Sequence, residues 1–176
     1  MKLAYADPPY YKCAYLYADK HEDAKKWDTL EAHQELIESM LDYDAWAMSL
    51  SSTSMQYILP MCPTDVRVAA WVKPFASFKP GINPAYAWEP VIFRGGRKRT
   101  RVEDTVRDWV SANITLQKGL AGAKPIDFCL WILDLLGYEE GDEFVDLFPG
   151  THSMAQALSA KAGTAWKQAP LFKEEA

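Results

Sequence analysis

Short apolar runs alternate with stretches of helical period along most of this chain. The runs cover residues 3–6, 46–50, 66–72, 87–93 and 144–147, each of strand length. Between them, residues 31–41 place Leu36, Ile37, Met40 and Leu41 on one helical face. Residues 53–61 read as a helix ending before Pro63, 126–136 as an apolar helix, and 153–162 as a helix entered through a glycine-containing turn. Strands alternating with helices predict an α/β fold, a mostly parallel sheet with flanking helices. The stretch 73–86 is rich in Pro, Gly and aromatic residues and reads as a long functional loop. No repeat or low-complexity tract interrupts this order.

Composition narrows the class. With 176 residues, 49% of them hydrophobic, the chain can bury one core, which predicts a single domain over 1–168 and a C-terminal tail over 169–176. Seven Trp and nine Tyr are many for this length, so most must line the core or a groove wall. Cys13, Cys62 and Cys129 are scattered and odd in number, which argues against a disulfide framework and against a zinc site; no metal is expected. No apolar run approaches a membrane span, and the first residues enter a strand without a signal-peptide core, so a cytoplasmic protein is expected. The net charge of −5 would repel a polyanion if spread evenly, and nucleic-acid contact would need a local basic patch. Arg94, Arg97, Lys98, Arg99 and Arg101 lie within eight residues beside Gly95-Gly96 and are suited to neutralising phosphates; the plain alternative is a solvated loop.

The candidate chemistry sits at two strand ends. Asp7-Pro8-Pro9-Tyr10 closes the first apolar run, at the edge where open α/β sheets hold their sites. Asp7 supplies acceptors, and each proline lacks an N–H and leaves its carbonyl free to accept. Tyr10 offers a flat face for stacking. Together they suit a donor-only amine on a planar ring, such as that of adenine or cytosine; a simple proline turn is the plain alternative. The second feature is Asp146-Leu147-Phe148-Pro149-Gly150-Thr151-His152, a strand end, a glycine turn and a helix start. Such a unit lets backbone approach a ligand at a helix N-terminus.

In this order the two motifs resemble those of the amino-group DNA methyltransferases. Asp7-Pro8-Pro9-Tyr10 is similar to the family's catalytic motif, and Asp146 to Gly150 to its S-adenosylmethionine loop, usually Asp-x-Phe-x-Gly-x-Gly. Lys124-Pro125, before the apolar helix, resembles the Lys-Pro that opens the cofactor-side helix. Catalytic motif first and cofactor loop last is the circularly permuted order of the beta-type members. The compact length and Trp88-Glu89-Pro90-Val91-Ile92 resemble the small phage-encoded branch, which would work in the cytoplasm of a bacterial host. The resemblance spans about residues 1–158. It implies a Rossmann-like methyltransferase fold, S-adenosylmethionine as cofactor and double-stranded DNA as partner. Asp7, Pro8, Pro9 and Tyr10 would serve transfer to a flipped base, most readily adenine N6 given Tyr10. Asp146, Phe148, Gly150, His152 and Lys124 would serve the cofactor.

Two departures fall on the cofactor side. His152 stands where the family keeps its last glycine, and no acid appears after the last helix, at 164–168, to hold the ribose. A protein that keeps the scaffold to bind DNA or a nucleotide, or an enzyme using another donor, are therefore the competing readings. Several further expectations follow from the sequence. Tyr11, Lys12 and Tyr15 line the same mouth or pack beside it. Ser49, Ser51 or Ser52 cap the next helix or touch a ligand. Lys73 and Lys79 flank the aromatic loop, and Arg107-Asp108-Trp109 anchors the return of the basic loop. His21 and His33, among charges, read as surface histidines. Glu89 lies in an apolar run and, if buried, needs a partner, for which Arg67 and Arg94 are candidates. A homodimer is one way to cover a sheet edge left after residue 168.

Overall fold

The computed structural model describes residues 1–18, 22–75, 80–114 and 123–162. Among these residues six strands form one sheet: β1 (Lys2–Ala6), β2 (Ala45–Ser49), β3 (Arg67–Val72), β4 (Trp88–Gly95), β5 (Trp109–Ser111) and β6 (Glu143–Asp146), in the order β5-β3-β4-β2-β1-β6. β1 runs parallel to β2 and β6, and β3 parallel to β5. β4 is antiparallel to both its neighbours and is the one reversed strand among the described residues. The expected mostly parallel sheet is therefore present, with one reversal that apolar patterning does not encode. The reversal brings the start of β4 to the edge where the other strands end.

The helices are α1 (Leu30–Met40), α2 (Met55–Ile58), α3 (Ile126–Leu136) and α4 (Ser153–Lys161). The helix expected over 53–61 is shorter, because Pro60 lies in a 3-10 turn, Leu59–Met61. Two further 3-10 segments, Ala14–Tyr17 and Glu22–Asp28, and the three-residue β5 lie where no periodic pattern is long enough to mark them.

Successive strand residues point to opposite faces, and β1 and β2 bury both. On one face Leu3, Tyr5, Ala47, Val91 and Trp71 pack against Phe128, Ile132 and Leu136 of α3 and Met154 of α4. On the other, Ala4, Ala6, Trp46, Met48 and Ile92 meet Ile37 and Met40 of α1 and Ile58 of α2. Complete burial of a side chain of this size contributes about 1.5–3 kcal/mol, so these two layers hold the strand ends in place.

α3 starts after Pro125, in extended conformation, and stops at Gly137, whose φ of +71° is left-handed. A side chain at 137 would be excluded twice, since its Cβ would come within 2.5 Å of Arg97 Cβ. Among the described residues no helix is long and apolar enough to cross a membrane. The expected tail and the 164–168 segment lie outside the described residues, as do His21 and Lys79.

Candidate active site

Asp7 follows β1, which lies between β2 and β6, so its carboxylate emerges near the middle of the sheet edge. Pro8 is buried, and Asp7, Pro9 and Tyr10 are half-buried. Lys124, next to the start of α3, donates from Nζ to Asp7 Oδ1 at 2.8 Å and to the Tyr10 hydroxyl at 3.0 Å. The Tyr10 hydroxyl donates to Glu89 Oε2 at 2.7 Å and lies 3.3 Å from Asp7 Oδ1. It has one proton, so the short contact to Glu89 takes it and the longer one is its alternative. Glu89 also pairs with Lys73, and its Oε2 is 3.5 Å from Lys124 Nζ. Two carboxylates, two ammoniums and a phenol thus form one cluster at the mouth.

The cluster sets the charge states. Burial pushes the Asp7 carboxyl above its ordinary range, the adjacent Lys124 draws it back, and Glu89 pushes it up again. For Glu89, burial also works upward, but Lys124 and Lys73 outweigh it and hold the group low. Lys124 gains from both carboxylates more than it loses by burial, and stays charged. Burial holds the Tyr10 phenol well above its ordinary value, so it remains protonated.

The second loop leaves β6 beside the first, since Tyr5 and Asp146 are in register. Asp146 Oδ1 accepts the Phe148 amide at 3.1 Å. Burial raises this carboxyl to about 6, against the pull of that amide. The turn then passes through Gly150 at φ +39° and His152 at φ 59°, ψ 20°, and α4 begins at Ser153. His152 thus adopts a left-handed backbone that costs a non-glycine residue roughly 1–2 kcal/mol. Its amide donates to the Pro149 carbonyl at 2.6 Å, which fastens the turn. The conformation a glycine would take is kept, although the residue is not glycine.

Two expectations change, those for His33 and Glu89, and the structure places Lys124 and the basic run. His33 is not a surface residue: it is 3% exposed, and its Nδ1–H donates to the Thr29 carbonyl at 3.0 Å. The ring also engages the Pro9 carbonyl, burial holds it below its ordinary value, and Trp27 at 5.3 Å links it to Phe148 at 5.1 Å. Lys124, expected beside the cofactor, directs its ammonium at the Asp7 cluster and over the rings of Tyr10 and Trp71. Glu89 pairs with neither Arg67 nor Arg94, which instead meet Asp108 and Asp65. The basic run lies at the edge opposite Asp7, where reversed β4 carries Arg94 and Gly95 and Gly95 pairs with Ala45 at the start of β2. There Arg97 binds Asp142 and the Gly137 carbonyl, Arg99 reaches the Asp134 carbonyl, and Lys98 and Arg101 are exposed.

Lys73 and Glu89 are the members of the cluster whose partnership the sequence did not reveal. The Lys73 amide donates to Ala87 at 2.8 Å, and Trp71 pairs with Glu89. An antiparallel β3–β4 pairing would have brought them together, had strand direction been legible. Ser49 is buried and shares a hydrogen bond with the Tyr5 hydroxyl at 2.7 Å, while Ser51 Oγ accepts the Ser54 amide at the entry to α2. Among the described residues no group of His, Cys, Asp and Glu is arranged to hold a metal.

Neither a protein-family model nor a curated protein matches the sequence. Solved structures do match in shape. The crystal structure of the M1.HpyAVI–SAM complex is similar over 93% of this chain and 80% of its own, with a TM-score of 0.59 and 14% identity. The chain has a methyltransferase fold. A second structure, of M1.HpyAVI, is similar over 90% of this chain and 76% of its own, at TM-score 0.57 and 14% identity.

Proposed function

We propose that the protein is an S-adenosylmethionine-dependent methyltransferase acting on the exocyclic amine of a base flipped from double-stranded DNA, adenine N6 in the first instance. The observation that carries this reading is the side-by-side exit of two loops from β1 and β6: Asp7 to Tyr10 on one, and Asp146 to His152 on the other. The likeness in fold to a structure holding SAM supports it further.

The residues fit the cofactor. The 147–152 turn has positive φ at Gly150 and His152, so the residue at 152 adopts the backbone region that favours glycine although it is histidine. Asp146, Phe148 and the backbone of that turn would hold the molecule. Bound there, S-adenosylmethionine supplies an electrophilic methyl group. Asp7 and the Pro8 carbonyl accept the amine's two N–H bonds, and Tyr10 stacks on the base. Holding the amine by its protons directs its lone pair outward and favours transfer by orientation and charge stabilisation. The Asp7 carboxylate is also positioned to take the proton that the amine loses.

Adenine in preference to cytosine rests on Tyr10, as in the family's Asp-Pro-Pro-Tyr pattern. The resemblance implies a phage-encoded enzyme in a bacterial cytoplasm. Lys12, exposed and set over the rings of Tyr11 and Tyr57, is the base-side cation offered to a duplex backbone.

Calorimetric titration with S-adenosylmethionine and S-adenosylhomocysteine tests the cofactor, and transfer of labelled methyl to unmethylated plasmid DNA tests the reaction. Micromolar binding and N6-methyladenine in the digested DNA are expected. A folded protein that binds neither compound would overturn the reading. Binding of DNA without either response would favour the scaffold alternative.

A further inference from the structure

Lys124 presents a difficulty for the proposed reaction. Its ammonium donates to Asp7 Oδ1, the group assigned to the incoming amine, and both partners are largely shielded, at 8% and 20% exposure. A base arriving at Asp7 must displace a cation, and a buried cation left without a partner is costly. Glu89 resolves this. Its Oε2 already lies 3.5 Å from Lys124 Nζ, and the same oxygen holds the Tyr10 hydroxyl at 2.7 Å. Its other oxygen is held by Lys73, so the carboxylate is fixed from behind.

We infer that Glu89 is a positioning residue of the target-amine site, which takes Lys124 off Asp7 as the base amine enters and fixes the Tyr10 ring on which the base stacks. The inference rests on the amine-methyltransferase reading above. Lys124 keeps its proton throughout; it exchanges one carboxylate for the other, and no charge is created or lost. Glu89 touches neither base nor cofactor, and acts through Lys124 and Tyr10. Without the Glu89 carboxylate, Asp7 is the one carboxylate left to Lys124 among the described residues of the cluster, and the amine must compete with a full ion pair.

Asp7 is the group through which this is read. Besides Lys124, Glu89 and Tyr10, it faces Tyr5 on β1, Tyr17 in the 3-10 segment, Cys129 on α3 and Asp146 on β6. Glu89 repels the charge on Asp7. Its neutralisation therefore lowers the Asp7 titration midpoint, both directly and by leaving Lys124 entirely to Asp7.

The experiment compares wild type, Glu89→Gln, Glu89→Asp and Tyr10→Phe as full chains, each checked for a native melting transition. Methyl transfer to plasmid DNA and ¹³C titration of the aspartate carboxyls are both recorded. For Glu89→Gln, kcat should fall by about 10- to 100-fold, the KM for DNA should rise, and the KM for S-adenosylmethionine should stay unchanged. The Asp7 midpoint should move down, and the acid limb of the rate profile with it. Glu89→Asp should recover part of the rate, and Tyr10→Phe should lose only the share due to ring fixation. A Glu89→Gln protein with wild-type kcat and KM for DNA, or an unmoved Asp7 midpoint, would overturn the inference. So would a Glu89→Gln protein whose defect lay in the KM for S-adenosylmethionine. An inactive wild type removes the underlying reading and the inference with it, whereas an active wild type with an indifferent Glu89 removes the inference alone.

Discussion

Asp7 and Asp146 are both raised by burial; among the described residues Lys124 offsets it at Asp7, and the Phe148 amide and His152 offset it at Asp146. Lys124 draws the Asp7 carboxyl back towards its anionic form, and in the proposed reaction that carboxylate receives the base amine. Asp7→Ala should therefore abolish methyl transfer, by at least about 100-fold, while the melting transition stays cooperative. Asp146 is raised to about 6, above its value in an unfolded chain, so the folded state binds the extra proton. Its contribution to stability is complete at low pH and is lost as the pH rises from about 4 through about 6. Asp146→Asn keeps the oxygen that accepts the Phe148 amide and removes the buried charge. It should therefore melt at higher temperature than wild type at pH 8, with the gap closing near pH 4, as differential scanning calorimetry would show. The same substitution should weaken cofactor binding if the loop has the role proposed for it. Residue types at the strand ends were readable from sequence because Asp, Pro, Tyr and Gly have few reasons to cluster there. His33 was not, because Glu31, Gln34 and Glu35 surround it in the chain. In the helix, 33, 37 and 40 share the buried stripe, and Leu41, counted on that face, is 43% exposed.

At the scale of elements, α3 does the most to position the site. Phe128 is fully buried against Tyr5 at 6.1 Å and Trp71 at 5.1 Å, directly behind the strands that carry Asp7 and Lys73. Phe128→Ala should cost about 3–5 kcal/mol, measured by urea unfolding, and should blunt activity before the protein unfolds. At the other end of α3, Gly137→Ala must place a left-handed alanine against Arg97, and a loss of at least about 1 kcal/mol is expected in the same assay. These elements were visible in the sequence as periodic apolar stretches. Strand direction was not, since a run of apolar residues reads the same in both senses. That single ambiguity explains why Glu89 was assigned the wrong partners.

Across the whole molecule the two sheet edges are specialised. The edge holding Asp7 gathers partly buried charges into the site, while the opposite edge uses its charges to lock the chain together. Asp142 joins the Met1 amine, Arg97 and the Glu139 amide. Although burial works against it, these bonds hold its carboxyl down at about 2. Its folded value lies below the unfolded one, so this stabilisation is present above about pH 4 and lost as the pH falls towards 2. Arg97→Ala should lower the melting temperature at pH 7 but leave DNA affinity nearly unchanged. Lys12→Ala should do the reverse, with a flatter salt dependence in fluorescence-anisotropy titrations. Equal loss of DNA affinity in both variants would show that the basic run contacts DNA as well.

The reversal of β4 has a consequence for how the molecule could vary. The segment that leaves β3 returns to β4 at the same edge, and its two ends are clasped by the Lys73–Ala87 backbone bond and the Lys73–Glu89 ion pair. With its ends held in this way, a change of length between them should cost little beyond loop-closure entropy. The fold thus offers an attachment point beside Asp7 and Tyr10, and under the proposed function a segment exchanged there would alter which DNA sequence is read without rebuilding the chemistry.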